Sequence, residues 1–211
     1  QVNVSFNPLT EIHLNTNNVA GQPHVEYGMM DIRSAGVHLL NVSSTITFGT
    51  LIARNNSINS LIHFQPDSVS TLDMARNLIP ALEQCQRFMQ HVSTLDLSNN
   101  YINSISKNQF CGTTGRISDL RELNLAFNEL KNITINESAW KGLEYINLKG
   151  NKLETRNIFF DNEILCNMHL SWHRSCVSFS ELIDVKNGYS HTCVGIARIT
   201  NSNDLIDFLS S

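Results

Sequence analysis

The sequence predicts an α/β solenoid, in which short strands stack side by side and irregular return segments close each turn behind them. Three observations predict it. An apolar frame recurs along the first two thirds of the chain, asparagine occupies one fixed place in that frame, and a further apolar residue follows at a constant offset. The clearest copy is Val92-Ser-Thr-Leu95-Asp-Leu97-Ser-Asn-Asn100-Tyr-Ile102, which fits L-x-x-L-x-L-x-x-N-x-L. The frame returns at Phe48, Leu51, Ala53, Asn56, Ile58; at Val69, Leu72, Met74, Asn77, Ile79; at Leu120, Leu123, Leu125, Asn128, Leu130; and at Leu143, Ile146, Leu148, Asn151, Leu153. Towards the start it fits Leu9, Ile12, Leu14, Asn17, Val19. A degraded copy follows at Tyr27, Met30, Ile32, Val37, with Ala35 in the asparagine place. Positions 17, 35, 56, 77, 100, 128 and 151 are 18, 21, 21, 23, 28 and 23 residues apart, the period of a leucine-rich repeat.

Each part of the frame has a physical reason. In x-L-x-L-x the leucines alternate with polar residues, so they turn inward while the x residues face out of a strand. A single strand cannot bury that face, whereas stacked copies make a parallel sheet over a continuous core. The asparagine bonds backbone groups that the bend after the strand leaves unpaired. Leu40, Leu61, Leu82, Ile105 and Ile133 close the core from the return side. The expected architecture is a leucine-rich-repeat horseshoe with a concave parallel sheet, an irregular or short helical convex side and a cysteine-containing C-terminal cap. Residues 1–160 carry about seven repeats. Val2, Val4, Asn7 and Leu9 mimic a further frame that overlaps the Leu9 copy, so one of the two is a cap or a truncated repeat. Residues 161–195 lack the leucine frame and read as a cap over the last open core. In the tail, 196–211, Leu205, Ile206, Phe208 and Leu209 suit a short amphipathic helix.

Composition narrows the function. A hydrophobic share of 41% is enough for a packed core. A formal net charge of −4 with 16% charged residues offers no basic stripe for nucleic acid or anionic lipid. No apolar run is long enough to span a membrane, and Gln1 to Phe6 lack a signal-peptide pattern, as expected of a mature or trimmed chain. No phosphate loop, nucleophile elbow or paired-carboxylate motif is present, so we expect no enzyme and no cofactor.

Five cysteines, three in the cap-like segment, favour an oxidising, extracellular setting. Cys85 and Cys111 hang from neighbouring repeats and are expected to pair, the alternative being two buried thiols. In the cap, Cys166 with Cys193 would tie its start to its end across Leu170 and Trp172. That leaves Cys176 as a free thiol or a link to a second chain. A rival reading is a zinc set of Cys166, His169, His173 and Cys176, with the histidines four apart on one helical face. Sequons stand at Asn3, Asn41, Asn55, Asn132 and Asn136, a number that 26 asparagines approach by chance.

The concave columns carry the candidate partner-binding residues. The middle column reads His13, Asp31, Ile52, Asp73, Asp96, Asn124, Asn147, and a neighbouring one Asn15, Arg33, Arg54, Ala75, Ser98, Ala126, Lys149. From these and Tyr145 we select Asp31, Arg33, Arg54, Asp73, Asp96 and Tyr145; the plainer reading is that aspartate between two leucines only solvates the sheet.

The irregular repeat lengths, the run Leu51-Ile-Ala-Arg-Asn-Asn56-Ser-Ile-Asn, the segment Leu82-Glu-Gln-Cys85-Gln-Arg-Phe, the step Leu143-Glu-Tyr-Ile-Asn-Leu148-Lys-Gly-Asn-Lys-Leu153 and the cap opening at Cys166 together resemble the mosquito leucine-rich-repeat immune proteins. The likeness runs from Leu9 to about Cys193. It implies a secreted haemolymph protein of innate immunity that pairs with a sibling repeat protein, as a disulfide-linked dimer, and holds complement-like thioester proteins. The expected function is that of a secreted recognition or scaffold protein with a protein partner. The alternatives are an ectodomain piece of an adhesion or signalling receptor and a zinc-dependent cap with a catalytic or regulatory role.

Overall fold

The computed structural model describes residues 1–15, 24–82, 87–106, 109, 119–134, 143, 145–152, 158–159 and 169–171. Among them the chain is mostly parallel sheet with almost no helix, a single 3-10 turn at Arg87–Gln90 being the exception. The strands are β1 (Val2–Asn3), β2 (Glu11–Leu14), β3 (Val25–Asp31), β4 (Leu39–Val42), β5 (Ile46–Ile52), β6 (Ser68–Asp73), β7 (Thr94–Asp96), β8 (Ser104–Ile105), β9 (Glu122–Asn124), β10 (Asn132–Thr134), β11 (Tyr145–Asn147), β12 (Ile158–Phe159) and β13 (His169–Ser171). Eight of them form one sheet in the order β1-β3-β5-β6-β7-β9-β11-β13, and every pairing is parallel.

The register follows the apolar frame. Met30 pairs with Leu51, Leu51 with Leu72, Leu72 with Leu95, Leu95 with Leu123, and Leu123 with Ile146. All six are buried, as are Ala53, Met74, Leu97, Leu125 and Leu148 two places on. Leu40, Leu61, Leu82, Ile105 and Ile133 are buried opposite them, and the buried Phe64 and Phe88 rings meet edge-on with centroids 4.9 Å apart. The core therefore lies between the sheet and the return segments. Parts of the return are themselves sheet, since β2 pairs with β4, and β8, β10 and β12 form a three-stranded sheet. Gly49 is required where β5 runs beside Gly28 of β3, because a Cβ there would stand 2.5 Å from the Gly28 carbonyl oxygen.

Two sequence expectations are corrected. The copy at Leu9, Ile12 and Leu14 is not on the main sheet; Ile12 and Leu14 belong to β2, on the return side, and pair with Leu40 and Val42. The overlapping frame of Val2, Val4, Asn7 and Leu9 supplies the first strand instead, with Val2 opposite Met30 and Asn3 opposite Asp31. Alternation alone could not choose between them, because both β1 and β2 bury one side against the same core. At the other end, the segment expected to lack the frame contributes β13, in which Leu170 pairs with Ile146. His169 thus lies in a strand and not on a helix, and the stacked strands run past residue 160.

Candidate functional site

The bend after each strand is built the same way from Phe6 to Asn151. Asn77 donates through Nδ2 to the carbonyls of Met74 and, one strand back, Ala53, both at 3.0 Å, while its Oδ1 accepts the Ile58 amide at 3.1 Å. Asn100 does the same with Leu97, Met74 and the Ile79 amide, and Asn128 with Leu125, Leu97 and the Ile102 amide. Asn56 and Asn151 complete the ladder. Where Ala35 replaces asparagine, its amide is taken by Asn56 Oδ1 from the neighbouring bend.

Immediately before each ladder position the backbone is left-handed: Phe6, Ser34, Asn55, Arg76, Asn99 and Phe127 have φ between 53° and 59°, and Gly150 has 72°. A non-glycine residue there costs about 1–2 kcal/mol, least for asparagine. The amides of the six non-glycine residues bond across to the next bend, as from Arg76 to the Ser98 carbonyl at 2.9 Å and from Phe127 to that of Lys149 at 2.6 Å. The strained residues therefore form an aligned row along one rim of the sheet. The pairs Asn55-Asn56, Asn99-Asn100 and Gly150-Asn151 were the available sequence signal for it.

On the solvent side of the sheet the middle column has a structural duty. Asn3, Asp31, Asp73, Asp96, Asn124 and Asn147 each accept, on Oδ1, the backbone amide two residues on, at 2.8–3.1 Å. Asn3 stands in the place expected of His13, which is in β2. The selected residues are brought together in part. Arg33 holds Asp31 through both carboxylate oxygens, with Nη2 2.6 Å from Oδ2 and Nε 3.0 Å from Oδ1. Those bonds hold the Asp31 carboxyl below the usual aspartate range against its burial, and they keep the Arg33 guanidinium more firmly protonated. On the next strands Arg54 pairs with Asp73. Asp31 and Asp73 are buried, so a ligand above them would meet the guanidiniums. Asp96, half-buried, accepts from Asn124 Nδ2 at 3.2 Å, and Tyr145 is half-buried in β11 opposite Glu122.

Of the sequons, Asn3 and Asn55 are exposed, Asn41 is half-buried in β4, and Asn132 opens β10. Asn136 lies outside the described residues, as do Cys85, Cys111, Cys166, Cys176, Cys193 and His173. Among the described residues no group of three His, Cys, Asp or Glu side chains could hold a metal ion, and no helix is long and apolar enough to cross a membrane.

One feature of the rim was not anticipated from the sequence. Tyr101 and Phe127, 53% and 51% exposed, border a shallow cleft of about 350 Å³ that Asn99, Glu129, Gly150 and Lys152 also line. Gly150 gives the Phe127 ring its seat, since a Cβ would stand 2.5 Å from ring carbon Cδ1. The Lys149 ammonium lies 5.8 Å from the ring centroid.

Compared with models of protein families and with curated proteins, the chain matches none.

Proposed function

We propose that the chain is a leucine-rich-repeat horseshoe that acts as a secreted recognition or scaffold protein, binding a protein partner through the solvent face of its parallel sheet. The observation that carries this reading is the alignment of side chains on that face, where Arg33 and Arg54 are clamped by buried aspartates on nearby strands. Clamped guanidiniums lose little freedom when a partner docks, and arginine and tyrosine are the residues that anchor protein interfaces. The recurring frame, the asparagine ladder and the left-handed row support the repeat architecture. The resemblance to the mosquito immune proteins supports a sibling repeat protein or a complement-like protein as the partner, and the odd cysteine supports a disulfide-linked dimer.

The test immobilises the protein, exposes it to extracellular fluid from its source organism and identifies what is retained. Arg54→Gln and Tyr145→Ser are the face variants of choice, because Asp73 and Asp96 also hold backbone amides and their reversal would disturb the bends. We expect a specific protein to be retained by the parent chain and by the return-side variant Ile62→Glu, and lost from the double face variant. Retention by the face variant and loss from the Ile62 variant would move the site to the return side.

A further inference from the structure

We infer that the aromatic rim around Tyr101 and Phe127 is a second docking surface, and that it takes an acidic peptide segment carrying an aromatic or aliphatic side chain. This rests on the reading of the chain as a binding protein and assigns part of the binding to a place other than the sheet face.

The argument begins with Phe127. Its backbone is left-handed, a conformation for which phenylalanine is poorly suited, and its ring is half in solvent. The left-handed backbone belongs to the fold at that position, but the ring does not, since Asn55, Asn99 and Gly150 take the equivalent places with the same backbone. A residue that is strained and also leaves its apolar surface uncovered points to a use outside the fold. Phe6 shares the strain and exposure, but its neighbours in the row, Ser34 and Asn55, are polar. Around Phe127 the surroundings are different. Tyr101 faces the same cleft, and Leu78, 44% exposed, stands in the adjoining row one bend earlier. Successive bonds between bends, from the Leu78 amide to the Ile58 carbonyl and from the Tyr101 amide to the Ile79 carbonyl, keep these residues in line.

Charge selects the occupant. Beside the apolar residues lie Arg76, Lys149 and Lys152, and among the described residues of the two rim rows from Arg76 to Lys152 the one carboxylate is Glu129, held by Lys152 at 3.3 Å. In a chain of net charge −4 this rim is locally basic. The cleft is at the small end of the range for enclosed ligand sites, about 300–1,000 Å³, and it is open, which suits one anchoring side chain of a longer segment. An aromatic or leucine side chain fills it between the two rings, and flanking carboxylates reach the lysines.

The experiment measures fluorescence anisotropy of a labelled synthetic peptide of glutamates interleaved with tyrosine and leucine. A lysine-for-glutamate version and a sulfated oligosaccharide serve as comparators. Phe127→Asn is the decisive variant because asparagine suits the left-handed backbone. We expect its thermal stability to hold or rise while affinity for the acidic peptide falls at least tenfold. Tyr101→Ser and Lys149→Glu should each weaken binding too, and added salt should weaken it in the parent chain. Equal binding of the lysine peptide, binding of the oligosaccharide alone, no peptide binding, or loss of stability without loss of affinity in Phe127→Asn would each overturn the rim assignment. Peptide binding lost in Arg54→Gln and Tyr145→Ser but kept in the rim variants would overturn the rim and leave the sheet-face reading standing.

Discussion

At the scale of the residue, asparagine and the residue before it act as one unit. Asn100 is buried and serves the Met74, Leu97 and Ser98 carbonyls and the Ile79 amide on two successive bends. Replacing it by leucine leaves the Ile79 amide without its acceptor, at about 1–3 kcal/mol for a buried group left unmet, and leaves the Met74 and Leu97 carbonyls with only the Asn77 and Asn128 side chains as donors. Asn100→Leu should lower stability by about 2–3 kcal/mol, at the upper end of the common range for one residue, and a denaturant titration reads it directly; an unchanged midpoint would sink the ladder argument. The neighbouring position predicts the opposite sign. Arg76 is left-handed and exposed, and its amide bonds the Ser98 carbonyl whatever the side chain. Arg76→Asn should therefore stabilise the protein by up to about 1 kcal/mol. The asparagine column was legible in the sequence because each copy repeats one residue type with one duty. The left-handed row was legible only where asparagine or glycine precedes the ladder asparagine, at Asn55, Asn99 and Gly150, because serine, arginine and phenylalanine hold its other places.

At the scale of the element, the strands are short and the side chains at their ends fix the chain's exit into the bend. Asp31 closes β3 by accepting the Arg33 amide and guanidinium, and the sequence reading that saw this aspartate as exposed overlooked a pairing within three residues. The pairing has a pH signature. The folded carboxyl titrates below the unfolded aspartate value of about 3.9. Its contribution is therefore complete above that value and is lost as pH falls from about 4 through the lowered folded value. Glu11, lowered chiefly by its hydrogen bond to His13, has the same sign at an exposed and solvent-screened site. Stability measured at pH 7 and pH 3 should fall less between the two for Asp31→Asn than for the parent chain. Equal falls would show that Asp31 is not linked to folding. Register was the harder element-scale reading. The Val2 and Leu9 frames alternate equally well, and the choice between them is made by which strand reaches the edge of β3, a tertiary fact that no local pattern carries.

At the scale of the whole molecule, each described strand of the main sheet pairs with its immediate neighbours in the order β1-β3-β5-β6-β7-β9-β11-β13, so stability should depend on position along the sheet. β7 lies between β6 and β9, and its Leu95 pairs with Leu72 on one side and Leu123 on the other, buried to 1% exposure. Among the described residues β1 is an outer strand of two residues paired with β3 alone, and its Val2 is half-buried. Leu95→Ala opens a cavity that both neighbours line, at about 2–5 kcal/mol for a well-packed leucine. It should also speed amide exchange in β6 and β9, because a stack weakened at its centre loses the coupling between its two halves. Val2→Ala removes a side chain that solvent already reaches, and its effect should stay within β1 and β3 at well under the central cost, about 0.5–1 kcal/mol. Hydrogen exchange read by mass spectrometry separates the two patterns without knowledge of any partner. If both variants accelerated exchange evenly across the sheet, the strands would be folding as one indivisible core, and the argument from neighbour-only contacts would fail.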